Sequence, residues 1–119
     1  MGDYRKLEVW KLACKLSDEV EVFVDSLPSR IRARHADQLC RAANSIHENI
    51  AEGCGLNSDR QLAKYLRQAL GSANETEDEL LAMERRGHLN GAHLSMLDDI
   101  RRICAMLAGL IRKIESKRA

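Results

Sequence analysis

Few residues of this chain have types and spacing suited to chemistry. His47 and Glu48 are adjacent, as at the start of a helical metalloprotease motif, but no second histidine stands four positions beyond His47. His35, His47, His88 and His93 show no ligand spacing except that His88 and His93 flank one turn; they read as surface or capping histidines. The acidic run ETEDE, Glu75 to Glu79, looks like a carboxylate cluster. On a helix Glu75, Glu77 and Asp78 point in different directions, and only Glu75 and Glu79 share a face. Phosphate-cradling glycine loops and nucleophile-elbow patterns are absent from the sequence. The cysteines Cys14, Cys40, Cys54 and Cys104 lack Cys-x-x-Cys spacing and lie on or beside apolar helical stripes. They read as reduced thiols, with a zinc site assembled from scattered positions as the alternative. The expectation is a protein that is not an enzyme and has no cofactor, metal or small-molecule substrate.

A different pattern stands out in QLCRAANSIHENIAEG, Gln38 to Gly53. At about 100° per residue, Gln38, Arg41, Ser45, Asn49 and Glu52 form a stripe away from the apolar one. Gln68, Ser72, Glu75 and Glu79 form a similar stripe further on. A solvated helix face is usually rich in Lys and Glu, whereas Ser, Asn and Gln are valued for directed hydrogen bonds. Small residues crowd nearby: Ala42, Ala43, Ala51, Ala69, Gly71, Ser72 and Ala73. Gly71 in mid-helix costs about 1 kcal/mol relative to Ala, which suggests a closely approaching backbone. The stripe therefore reads as a contact with another helix or a partner chain, and Arg41 is expected to pair with Glu75 or Glu77. On the first helix, Leu7, Trp10 and Cys14 make a second apolar ridge beside the main one, wider than a single core requires.

The basic candidates for contact with nucleic acid are Arg30, Arg32 and Arg34, and Arg101, Arg102, Arg112 and Lys113. Arg85 and Arg86 suit the end of a helix dipole, as do cations late in the last helix. Cations at a helix start oppose the dipole, and a phosphate or a nearby carboxylate such as Asp25 or Asp37 would relieve that conflict.

Four helices must position these residues. The first runs from about Asp3 to Ser26, with Val9, Ala13, Leu16, Val20, Phe23 and Leu27 on one face and Pro28 as its stop. The second runs from Ser29 or Ile31 to Glu52, with Gly53 and Gly55 expected to make a left-handed stop. The third starts at Ser58, whose spacing to Gln61 fits a capping box, and ends near Glu84 before Gly87. The fourth begins near Asn90 or Leu94 and carries Leu97, Ile100, Cys104, Leu107, Ile111 and Ile114. Short connections imply antiparallel neighbours, hence an all-α, up-down-up-down four-helix bundle in one domain over residues 1–119. Aromatics at 3% and a single Pro agree with long helices and against sheet. A net charge of +1 leaves any nucleic-acid contact to a local patch. The charged N-terminus and the lack of an apolar run of about 18 residues predict a cytoplasmic protein without a membrane segment.

QLCRAANSIHENIAEG, the later ALGSANETEDEL and the early LEVW together resemble the four-helix bundle proteins encoded in intervening sequences of 23S ribosomal RNA genes. Accessory variability proteins of diversity-generating retroelements look like more distant relatives. The resemblance spans essentially the whole chain, with Gln38, Arg41, Ala42, Ser45, Asn49 to Gly53, Ala69, Gly71, Ser72 and Glu75 in matching order. It departs at His47 and Glu48, where a proline and a small residue are frequent. The resemblance implies a self-assembling bundle, a homopentamer with itself as partner. The alternative is an RNA- or DNA-binding module acting through basic patches of the oligomer.

Overall fold

The computed structural model describes residues 3–117. A 3-10 turn, Tyr4–Lys6, precedes four helices: α1 Glu8–Asp25, α2 Ser29–Cys54, α3 Asp59–Arg85 and α4 Ser95–Ser116. Each helix packs on the next in the chain, and α4 returns to α1, with no diagonal packing among the described residues. The paired residues run in opposite senses. Along α2 the positions Ser45 and Gln38 meet Ser72 and Glu75 of α3. Along α3, Arg67 and Glu77 meet Glu115 and Arg101 of α4. The fold is therefore the expected antiparallel all-α bundle.

One apolar core fills its axis. Leu16, Phe23, Leu39, Ile46, Ile50, Leu66, Leu80, Met83, Met96, Ile100, Ile103 and Leu107 are fully buried. These are the positions at steps of three and four on each helix, so burial follows the helical period of the sequence. At one end the Phe23 ring tilts against His93, with centroids 5.1 Å apart, and so ties the end of α1 to the segment before α4.

Two boundaries differ from the sequence reading. The first helix does not start at Asp3. The Asp3 carboxylate accepts from the Arg5 amide and from its guanidinium, all at 3.0 Å, which closes a separate short turn. Leu7 is then extended, at φ −74° and ψ 128°, before α1 begins. The second helix continues to Cys54, and Gly55 is right-handed rather than left-handed, at φ −79° and ψ −8°. Ser58 does cap α3, its hydroxyl accepting from the Gln61 amide at 3.2 Å.

Gly87 has the only positive φ among the described residues, +79°. It ends α3 in a Schellman motif. The Gly87 amide donates to Glu84 and the His88 amide donates back to Met83 at 2.9 Å.

The glycines separate by what surrounds them. A Cβ on Gly53 would stand 2.9 Å from the Tyr65 Cβ and 3.2 Å from a Leu62 methyl. A Cβ on Gly71 would meet nothing within 4 Å. Within the chain, the close approach expected at Gly71 is made at Gly53 instead, where α2 turns into α3. Gly53→Ala should destabilise the bundle by about 1–3 kcal/mol through overpacking, despite alanine's better helix propensity. Gly71→Ala should instead stabilise it by about 0.5–1 kcal/mol. Chemical denaturation of both variants checks the contrast.

Candidate functional site

The polar stripe of α2 faces that of α3 along one seam. The Ser45 and Ser72 hydroxyls share a hydrogen bond of 2.8 Å between the helices. Asn49 stays on its own helix and donates to the Ser45 carbonyl at 2.8 Å and the Ser45 hydroxyl at 2.9 Å. Thr76, fully buried, donates to the Ser72 carbonyl at 2.8 Å. Gln38 donates to Glu75 at 3.3 Å. Only Ser45 and Gln38 of the α2 stripe thus reach across to α3. Glu52 and Gly71 are exposed.

Arg41 does not pair with Glu75 or Glu77. It meets Asp37, one turn away on α2, at 2.7 Å, and both side chains are largely exposed. An i, i+4 partner costs less ordering than a reach across the seam. Glu77 is taken instead by Arg101 of α4 at 3.3 Å.

The second ridge of the first helix divides. Trp10 is half-buried under the N-terminal turn, with Tyr4 edge-on to its ring at 5.3 Å, and its indole nitrogen is buried without a hydrogen-bond partner. Leu7 faces α4, where it lines an apolar groove of about 330 Å3 with Val9, Ala105, Met106, Gly109 and Leu110. Glu8 and Lys113 stand at its rim. Nearby, the buried Asp99 carboxylate receives Lys15 from α1 at 2.9 Å, and Glu19 holds the same ammonium at 3.1 Å. The hydrogen bond that Lys15 donates to Asp99, then that to Glu19, pushes the Lys15 pKa up.

The basic residues do not gather on one face. Arg30 and Arg34, one turn apart, line a cavity together with Arg86 and His88. Arg32 is exposed and does not line it. Arg101 is engaged by Glu77, Arg102 lies by Lys11 and Lys15 beside α1, and Lys113 sits at the apolar groove. Arg112 lies one turn from Gly109 and is exposed. Arg86, His35 and His88 are contributors that the spacing alone had left as dipole cations and surface histidines.

All four cysteines are free and half-buried. Burial raises the pKa of Cys14, Cys54 and Cys104, with Asp18 and Glu77 adding to the effect at Cys14 and Cys104. The Cys40 thiol is pushed up to about 11, mainly by burial, with Glu21, Asp25 and Asp37 contributing. Such thiols are the reverse of activated nucleophiles. Among the described residues no group of three or more His, Cys, Asp or Glu is placed to hold a metal ion. No described helix is long and apolar enough to cross a membrane.

Two measurements follow from this geometry. Ser45→Ala removes the cross-helix partner of Ser72 and one of the two acceptors of Asn49, and should cost about 1–3 kcal/mol, against about ±0.5 for a solvated serine. Denaturation at matched protein concentration reads the difference. Alkylation followed by peptide mapping tests Cys40. Because only the thiolate attacks, its rate at pH 8 should lie about two orders of magnitude below that of an unhindered thiol and climb with pH.

A search of curated proteins returns no match for this chain. A family model described as 23S rRNA-intervening sequence protein matches residues 5–109. That span takes in all but the first residue of the 3-10 turn, the first three helices and most of α4. The four-helix architecture and the continuous match together place the chain in the 23S rRNA-intervening sequence protein family.

Proposed function

We propose that this chain is a non-catalytic, self-assembling bundle that serves as a scaffold or adaptor, with copies of itself as its partners. The observation that carries the reading is the open apolar groove between α1 and α4. Of the four helix seams this one is packed least extensively. It leaves Leu7, Met106 and Leu110 half-buried around an apolar hollow. In water, covering such a surface contributes about 25 cal/mol per Å2 of apolar area. Glu8 and Lys113 at the rim offer one charge of each sign. A second copy brings complementary charges, so it is the occupant we assign.

The α2–α3 seam lies on the opposite side of the bundle and has a polar, small-residue character. Two unlike faces suit head-to-tail contact, and such contacts close into a ring when the rotation allows. A ring of five is the closed form that the family resemblance suggests. Four free thiols suit a reducing compartment, which we take to be the cytoplasm.

Nucleic-acid binding is the second reading, favoured by the convergence of Arg30, Arg34 and Arg86 on one cavity. A ring would repeat that cluster in every subunit and add avidity.

Leu110→Glu tests self-assembly at its proposed seam. The variant should lose the oligomeric mass of the parent by multi-angle light scattering at micromolar concentration while keeping its helical circular dichroism. A parent that is itself monomeric, or a variant with unchanged mass, sinks the reading.

A further inference from the structure

One cavity is left over by the self-assembly reading. Arg30, Ile31, Arg34 and His35 from the start of α2 enclose about 230 Å3 with Arg86 and His88 from the turn after α3. Two elements distant in sequence thus bring three arginines and two histidines to the lining of one space. The turn is fixed by its backbone: the Arg86 amide donates to Ala82, and the His88 amide to Met83, around the positive φ of Gly87.

The charge of this cavity is not neutralised from within. No carboxylate lines it. Among the described residues none of Arg30, Arg34 and Arg86 belongs to a salt bridge. Of the neighbouring acids, Asp37 is taken by Arg41. Asp25 and Glu84 are exposed and outside the lining. The first turn of α2 carries no acidic residue and no side chain caps it, so its dipole adds to the positive field without being the source of it. Like charges brought together without a counter-charge repel, and an anion removes that cost.

We infer that this cavity is a binding site for a phosphate group. Guanidinium forks match the oxygens of a tetrahedral oxyanion in paired hydrogen bonds. Three arginines from two elements suit a group with three or more acceptor oxygens better than a planar carboxylate with two. The site is complete in one subunit and does not depend on the α1–α4 groove. It supplies a ligand class for the second reading above, and it stands or falls separately from self-assembly.

The test uses the full chain, a double variant Arg34→Gln/Arg86→Gln and a control Arg60→Gln. All three altered side chains are exposed, so the fold should survive, as circular dichroism will verify. Inorganic phosphate is titrated against chloride at matched ionic strength, with phosphorus-31 line broadening as the readout. A single-stranded RNA oligonucleotide is titrated in parallel by fluorescence anisotropy. The expected result is saturable phosphate binding at millimolar concentration that falls at least about tenfold in the double variant and not in the control. If RNA binding falls with it, the phosphate belongs to a nucleic-acid backbone. If RNA binding is absent or unchanged while phosphate binding is lost, the ligand is a free phosphate or a small phosphate ester. Phosphate binding that is absent, unsaturable or equal in the double variant overturns the inference. Repeating the titration on Leu110→Glu separates the site from assembly, because a subunit-complete site keeps its phosphate affinity there.

Discussion

The close approach of α2 to α3 is the constraint on which the other features depend. At the turn between them, Gly53 lets the Tyr65 side chain lie where a Cβ would otherwise stand. Buried Ala42, Ala43, Ala69 and Ala73 keep both helices slim along their length. The Ser45–Ser72 hydrogen bond then fixes one helix against the other. Because helical rise is constant, a register set there propagates. About fifteen residues back along α2 and about as many forward along α3, roughly 22 Å away, lie Arg30 and Arg86. The basic cavity is thus a consequence of register, and a slip of one turn would separate its two halves.

Around that hairpin, α1 and α4 close the core without matching its tightness. Their seam holds the Lys15–Asp99 pair, a buried carboxylate that has its own partner, and beside it the apolar hollow. An ion pair next to an open apolar surface has a specific effect: it orients α1 on α4 while leaving the surface beyond it uncovered. The bundle therefore presents a polar, hydrogen-bonded side and an apolar, unsatisfied side. Stability comes from the aliphatic axis; what remains for contact with other molecules is the outer surface of the two seams and the basic end.

Much of the fold was legible in the sequence because its signal is periodic. Val9 to Leu27, Leu39 to Ile50, Leu62 to Leu80 and Leu97 to Ile114 repeat at helical spacing, and the structure buries them, except that Cys104 is half-buried and its neighbour Ile103 fills the core. Ser58 and Gly87 announced their roles by type and place. The misses share a cause: residue type does not say what lies opposite. Both Gly53 and Gly71 are helical glycines, yet only Gly53 has a neighbour in the chain. The partners expected for Arg41, Glu75 and Glu77, both stand on α3, and Asp37, one turn away on its own helix, took it instead. The break at Leu7 came from a local Asp3–Arg5 pairing that competes with helix. Arg30, Arg32 and Arg34 looked like one cluster, but alternate positions on a helix diverge, and the companion cations came from Arg86 and His88. A charge cluster built across two elements has no sequence spacing to betray it.

The register of α2 on α3 is the central claim, and a nuclear Overhauser spectrum of labelled protein tests it most directly. The account predicts a strong cross-peak between the Gly53 α-protons and the Tyr65 β-protons, together with a cross-peak between the Ser45 and Ser72 β-protons further along the same hairpin. A spectrum that lacks the Gly53–Tyr65 contact, or one in which Ser45 meets a different turn of α3, contradicts the register and with it the basic cavity.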